Sequence, residues 1–136
     1  MDVRTIVDAG PLIAWLNAAD QWHEWSVQAL SSRRGPLHTT EIVLGEACYL
    51  LGGNSAAVHA LLDWVRAGAV VLHPIWPEHL ERTQELMMKF ERMDVGDASV
   101  VTLSEQYPRA IVVTVDAGDF RVYRRFRREV IPLVAP

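Results

Sequence analysis

The stretch T-I-V-D-A-G-P-L, Thr5 to Leu12, decides how this chain is read. Thr5, Ile6 and Val7 have strand character and run straight into a carboxylate, Asp8. Ala9 and Gly10 make a turn, and Pro11 opens a short helix to Asn17, since the first helical position loses nothing by lacking an N–H. Asp8 therefore stands where a strand ends and a helix begins. In open parallel α/β sheets that rim is where ligands bind. Taken alone, Asp8 is better explained as a helix cap. Its meaning depends on whether other carboxylates reach the same rim.

Outward from this stretch, strand and helix signals alternate. Asp20 can cap a helix with Trp22, Trp25, Ala29 and Leu30 on one face. Gly35-Pro36 breaks the chain, and Leu37–Thr39 is a brief strand. Thr39 or Thr40 then caps a helix to Leu51 that stops at Gly52-Gly53. Asn54 or Ser55 starts the next helix, with an apolar stripe of Val58, Leu61, Leu62 and Val65, and Gly68 ends it. Val70–Leu72 is a strand, and Pro77 and Glu78 open a helix with Leu80, Leu86, Met87 and Phe90 as its apolar positions. A polar break, Asp94–Asp97, precedes a helix over Ala98–Glu105. Ala110–Val115 is a strongly β-branched strand and Asp116–Asp119 an acidic turn. A short basic helix and a strand over Val130–Val134 complete the pattern. Strands separated by helices predict βαβ units and a parallel sheet covered on both faces. Right-handed crossovers then place every strand C-terminal end on one rim. Residues 1–136 read as one α/β domain.

The composition fits that reading. Half of the 136 residues are apolar and 22% are charged, as in a globular protein with a real core. No apolar run approaches the roughly 20 residues that span a bilayer. The N-terminal M-D-V-R-T lacks the basic start and apolar core of a signal peptide, so a cytoplasmic location is expected. A single cysteine, Cys48, excludes an internal disulfide and suits a reducing compartment. It lies in an apolar helix and reads as a small buried hydrophobe. The net charge of −4 excludes a generally basic nucleic-acid binder. Even so, Arg121, Arg124, Arg125, Arg127 and Arg128 form a local basic cluster suited to an RNA backbone or an acidic partner.

Most of the 17 acids should be solvated surface, but four positions depart from that expectation. Asp8 and Asp116 each close a strand, which capping alone explains less well twice than once. Glu46 lies mid-helix with Ile42, Val43, Tyr49 and Leu50 as same-face neighbours, and no Lys or Arg occurs from Gly35 to Val65 to pair with it. Asp97 falls in the first turn of a helix, a place the helix dipole favours, and Asp94 invites the same reading. Periodicity does not choose between them. If the four converge, their mutual repulsion is relieved by one or two hard divalent cations, and Mg²⁺ and Mn²⁺ prefer such oxygen ligands. The five histidines are scattered without a metal-binding spacing, so a zinc site is not indicated. There is no P-loop, G-x-G-x-x-G or G-x-S-x-G. An aspartyl-phosphate phosphatase would want a second Asp where Gly10 stands, and a receiver domain would want a Lys after the strand that ends in Asp116.

Four motifs in this order, V-D-A-G-P-L, E-A-C-Y-L-L, M-D-V-G-D-A-S-V and T-V-D-A-G-D-F-R-V-Y, together resemble the PIN-domain family. More narrowly they are similar to the VapC-type ribonuclease toxins of bacterial toxin–antitoxin pairs. The resemblance implies a three-layer α/β/α sandwich on a mostly parallel sheet of about five strands. It implies Mg²⁺- or Mn²⁺-dependent endonucleolytic cleavage of RNA. By position it assigns Asp8, Glu46, Asp97 and Asp116 as the catalytic, metal-holding acids, with Asp119 as a further acid. It prefers Asp97 to Asp94 because of the Asp97-Ala98-Ser99 run, and it places Thr114 beside the metal. Arg121, Arg124 and Arg125 are the candidate RNA-binding residues. A cognate antitoxin and a homodimer are implied as well, with Trp22, Trp25 and the helix Ser55–Ala67 as candidate surfaces. Two other readings use the same residues: a PIN-like module that binds RNA or protein with little catalysis, and an RNA-processing nuclease without an antitoxin.

Overall fold

Strand β1, Thr5–Val7, is wholly buried and sits at the centre of the sheet. A computed structural model describes every residue from Met1 to Pro136. In chain order the elements after β1 are α1 (Ala9–Leu16), α2 (His23–Ser31), β2 (Leu37–Thr40), α3 (Glu41–Leu50), α4 (Ser55–Arg66) and β3 (Val70–His73). There follow α5 (Leu80–Lys89), α6 (Val95–Gln106), β4 (Ile111–Val113), α7 (Ala117–Val122), β5 (Arg124–Arg125), β6 (Glu129–Val130) and β7 (Leu133–Val134). The main sheet has the order β3-β2-β1-β4-β7, and every pairing in it is parallel. Helices α1, α2 and α4 cover one face and α5 and α6 the other, giving the three-layer α/β/α arrangement. No helix is long and apolar enough to cross a membrane.

The order of strands places a crevice where the connections reverse direction. From β1 the chain moves outward through β2 to β3, then returns to lay β4 on the other side of β1. Ligands of open α/β sheets bind at such switch points, outside the carboxyl ends of the strands. Asp8 follows β1 and Asp116 lies shortly after β4, so both stand at this crevice. Helix α6 is buried along most of its length, Ala98 to Ser104, because its residues are small or β-branched and let it lie close on the sheet. Its hydroxyls bond inward: Thr102 to Ala98 O at 2.8 Å and Ser104 to Val101 O at 3.1 Å. Thr40 and Ser99 share a buried hydroxyl bond of 2.8 Å that fixes α6 against β2.

Several sequence expectations move. Helix α1 begins at Ala9, so Pro11 is its third residue; the first turn still tolerates a missing N–H. Asp20 caps the turn before α2, accepting from Trp22 N at 2.8 Å, and α2 itself starts without a side-chain cap. Leu62 and Leu80 are exposed, and the inner face of α4 is Ala57 and Leu61, with Trp64 edge-on to Trp15 of α1 at 5.3 Å. Helix α6 starts three residues early, at Val95.

The helix near the end of the chain starts earlier than expected, at Ala117 within the acidic turn, and of the basic cluster only Arg121 lies in it. Arg124–Arg125 and Glu129–Val130 form a two-stranded antiparallel hairpin turned by Phe126 and Arg127 at φ 47° and 75°. Pro132, with no N–H to give, separates that hairpin from β7. The histidines are not all peripheral either: His38 Nδ1 and His73 Nε2 lie 2.8 Å apart on adjacent strands, both buried. Burial holds both imidazoles below their usual pKa, His73 adding its charge against His38.

Candidate metal centre

Asp8 ends β1 in an extended conformation, and its Oδ1 accepts Ala9 N at 2.9 Å, so the cap that its sequence position suggests is real. Its other oxygen, Oδ2, receives a 2.9 Å bond from the Thr114 hydroxyl, which comes from the end of the neighbouring strand β4. Thr114 Oγ1 in turn accepts Asp116 N at 3.0 Å, so one buried hydroxyl ties together the two strand-end acids. Asp94 is the N-cap of α6 and takes Asp97 N at 2.8 Å. Asp97 projects from the first turn and receives a 2.7 Å bond from the Tyr123 hydroxyl. Asp116 caps α7, accepting Asp119 N at 3.4 Å, and Asp119 pairs with Arg92 Nε at 3.0 Å.

Asp8, Glu46, Asp94, Asp97, Asp116 and Asp119 all line one cleft of about 270 Å³, with Arg92, Ile13 and Leu50 at its margins. Thus the four acids singled out from the sequence are brought together, with both acids whose place was open. Glu46 arrives for a steric reason. Its Oε2 fills the space where a Cβ on Gly96 would lie, 2.5 Å from that position, so the glycine lets the side chain of α3 take this place against α6. The face of α3 around Glu46 is apolar but only half packed: Val43 is buried in the core, while Tyr49 is 83% and Leu50 58% exposed. Its isolation comes from the cleft, not from a hydrophobic core.

The electrostatics are those of crowded, dehydrated carboxylates. Burial pushes Asp8 up to about 6, against the opposing bonds from Thr114 and Ala9, with the charges of Asp94 and Asp116 adding to the rise. Burial likewise pushes Asp97 up to about 7, against the Tyr123 bond. Glu46 is raised by burial and by the charges of Asp94 and Asp8, and Asp116 by burial and its neighbour Asp119. The same Asp97 charge, with burial, moves the Tyr123 phenol far above its usual range, so it stays a donor.

As the side chains stand, no group of three or more His, Cys, Asp or Glu is ready-made to hold a metal ion. Five of the carboxylates are held back on bonds inside the chain, and the six do not converge on a point. Their donor chemistry nevertheless fits a hard divalent cation: all-oxygen, anionic and poorly hydrated.

The basic candidates fare differently. Arg125 is only 2% exposed and is consumed internally: it donates to Ser104 O at 2.9 Å, to Pro108 O at 2.7 Å and to Glu129. It cannot present its guanidinium to RNA. Arg124 Nη1 is turned onto the carbonyls of Arg121, Val122 and Tyr123 at the end of α7. Arg121 remains exposed. Arg92 and Tyr123 are the site neighbours that sequence reasoning missed. Neither has a periodicity signal, because each reaches the cleft from a bend between elements.

Over 123 residues, 88% of this chain and 91% of the relative, the sequence is 25% identical to Ribonuclease VapC26 of Mycobacterium tuberculosis. Among solved structures, Mycobacterium tuberculosis VapC20, a toxin that cleaves the Sarcin-Ricin loop, matches with a TM-score of 0.72 at 21% identity, covering 79% of this chain and 86% of that one. VapBC2 from Rickettsia felis, bound to a DNA fragment from its promoter, matches with a TM-score of 0.67 at 14% identity, covering 98% and 99%. Those two likenesses are likenesses of fold. The family profile described as PIN domain matches residues 5–125, from the first residue of β1 to the buried arginine of β5, and the chain belongs to that family.

Proposed function

We propose that this protein is a divalent-metal-dependent endoribonuclease, the toxin of a VapBC-like toxin–antitoxin pair, acting through Asp8, Glu46, Asp97 and Asp116. The observation that carries this reading is the single cleft in which acids from the ends of β1 and β4, from α3 and from the first turn of α6 meet with raised pKa values. A fold does not normally retain such a cluster for stability, because dehydrated like charges oppose it. The identity to VapC26 over most of both chains supports ribonuclease chemistry, and VapBC2 supports an antitoxin partner. The exposed Tyr49 and Leu50 beside the cleft suit the apolar side of an antitoxin segment. A homodimer, a cytoplasmic location and one functional unit over residues 1–136 complete the proposal.

Asp8, Glu46, Asp97 and Asp116 would hold Mg²⁺ or Mn²⁺, with Asp94 and Asp119 at the edge of the set. Bound there, the cation supplies charge neutralisation at the scissile phosphate and a more acidic water. The chain's own contribution is placement. Thr114 fixes one oxygen of Asp8 and the backbone N–H of Ala9 fixes the other. Tyr123 fixes Oδ2 of Asp97 and leaves Oδ1 outside that bond. Arg92, paired to Asp119 through Nε and 81% exposed along its side chain, offers its remaining N–H groups to a phosphate at the margin. The test is cleavage of a mixed-sequence RNA by purified protein in Mg²⁺, in Mn²⁺ and in EDTA. Cleavage should vanish in EDTA and return when the cation is restored. Cleavage that persists in EDTA sinks the metal reading, and RNA binding without cleavage in any cation favours a binding module.

Gly96→Ala probes Glu46 without touching it. The new Cβ would lie 2.5 Å from Glu46 Oε2 and 3.3 Å from Asp94 Oδ1, so the flexible glutamate must swing away. Ala is also the better helix former by about 1 kcal/mol. The expected outcome is an unchanged or slightly higher melting temperature with cleavage reduced at least about tenfold, a size suited to displacing one electrostatic group. Unchanged cleavage would remove Glu46 from the mechanism.

A further inference from the structure

At the rim opposite the carboxylates, four arginines line a cavity of about 450 Å³, larger than the acidic cleft. Arg4 leads into β1 and Arg109 stands before β4, so both lie at strand N-terminal ends. Arg33 and Arg34 follow α2, just before the turn at Gly35 with φ 74°. The only acid in the wall is Asp2, which takes Arg4 Nε at 2.7 Å. Arg33 Nε reaches Ala29 O at 3.4 Å, and Arg34 and Arg109 have no partner in the chain.

Exposed arginines are ordinary on a protein surface, and Arg121, Arg127 and Arg128 also stand without an acidic partner, but here four surround one cavity. Arg82 is clamped by Glu105 and Glu85, Arg92 by Asp119, Arg125 by Glu129, and Arg66 lies near Asp63. In a chain of net charge −4, the opposite rim gathers four guanidiniums around one concavity and leaves most of them unmatched. Arginine side chains set around a hollow repel one another, and an extended anion that touches several of them at once relieves this.

The wall also says which anion. It contains no aromatic ring, so it offers no platform for stacking a base, as a free nucleotide or a sequence-reading site would want. Its only two apolar members are Val3 and Ile111, too little to anchor a peptide. What remains is recognition of phosphates by charge and forked hydrogen bonds.

We infer that Arg4, Arg33, Arg34 and Arg109 form a second RNA contact, a sequence-independent cradle for phosphodiester backbone remote from the bond that is cut. This rests on the nuclease reading of the opposite rim. Arg4 and Asp8 bracket β1, and at about 3.3 Å per residue they lie roughly 13 Å apart along the strand. The cradle faces the other way, so only a long or folded RNA can engage both. A short oligoribonucleotide filling the acidic cleft cannot. The cradle therefore selects for substrate size and shape, not for sequence.

The test is the triple variant Arg33→Gln, Arg34→Gln, Arg109→Gln, compared with a control double, Arg66→Gln, Lys89→Gln, which lies outside both the cradle and the basic cluster of Arg121–Arg128. Binding of a long structured RNA is measured in EDTA across a salt series, so that it is read without cleavage. Loss of up to three phosphate contacts should flatten the plot of log Kd against log salt by about 2, at roughly 0.7 per contact for single strands. The control should change it little. With Mg²⁺ or Mn²⁺ present, the cradle variant should cleave the short oligonucleotide at the wild-type rate and show a raised KM for the long RNA. An unchanged slope, or an equal change in the control, overturns the cradle. If instead an acidic peptide binds the wild type but not the variant while RNA binding is unaltered, the site belongs to a protein. Failure of the wild type to cleave either RNA would count against the nuclease reading alone, because the salt series stands without it.

Discussion

Asp8→Asn is expected to lower RNA cleavage by roughly 10²–10³-fold and, in metal-free buffer at neutral pH, to raise the melting temperature. The two effects have one cause. Asp8 is 8% exposed, and burial lifts its pKa from 3.8 to about 6. The folded chain therefore binds this proton more tightly than the unfolded chain does. Stability falls as pH rises from about 4 to about 6, and the whole penalty is present above that window. A displacement of that size is worth about 3 kcal/mol at most, which in a domain of this length moves the melting temperature by up to roughly 10 °C.

Asparagine removes the charge and keeps the cap. Its Oδ1 can still accept Ala9 N, and the Thr114 hydroxyl can turn to accept from its amide. The gain in stability should shrink towards zero below pH 4, where the wild-type carboxyl is protonated in both states. Thermal melts of both proteins in EDTA between pH 4 and pH 7.5, beside cleavage assays with Mg²⁺, decide the matter. If Asp8 were only a cap, the variant would cleave normally; if it were a structural keystone, the variant would be less stable.

The second large effect lies far from the cleft. Arg125→Met is expected to destabilise the protein by about 3 kcal/mol, seen as a lower urea midpoint. The methionine fills much of the volume but abandons Ser104 O at the end of α6 and Pro108 O beyond it, both of which the guanidinium holds. Glu129 matters less, since its side chain is half exposed and regains water. Arg127→Met and Arg128→Met, at exposed positions of the same segment, should stay within about 0.5 kcal/mol of wild type. A loss of RNA affinity in Arg125→Met with an unchanged urea midpoint would reinstate that residue as an RNA ligand.

These two positions also mark how far the chain could be read from its letters. Asp8 and Asp116 were legible because a strand ending in an acid is a local pattern, and the parallel sheet carries both ends to one rim. Glu46 was legible as an anomaly, though for a partly different reason. Its neighbours Tyr49 and Leu50 are exposed, and what admits it is Gly96 on another helix. Arg125 was misread because a run of arginines looks like solvated surface. Its burial depends on a hairpin turned by Phe126 and Arg127 at positive φ, with no glycine to announce it. The His38–His73 contact was invisible for a related reason, since it exists only once the register of β2 on β3 is set. Periodicity could not separate Asp94 from Asp97 because the first caps α6, the second rides on its first turn, and both line the cleft.

The pairing of β4 beside β1 bears on when in the life of the molecule the acidic cleft can assemble. Thr114, which holds Asp8, lies 106 residues after it in the chain. Ribosomes add about 5–20 residues per second, so Asp8 emerges roughly 5–20 s before the strand that completes its surroundings. During that interval the growing polypeptide has acids but no crevice to gather them. A cleft built this way is complete only after the strand beside β1 has been delivered.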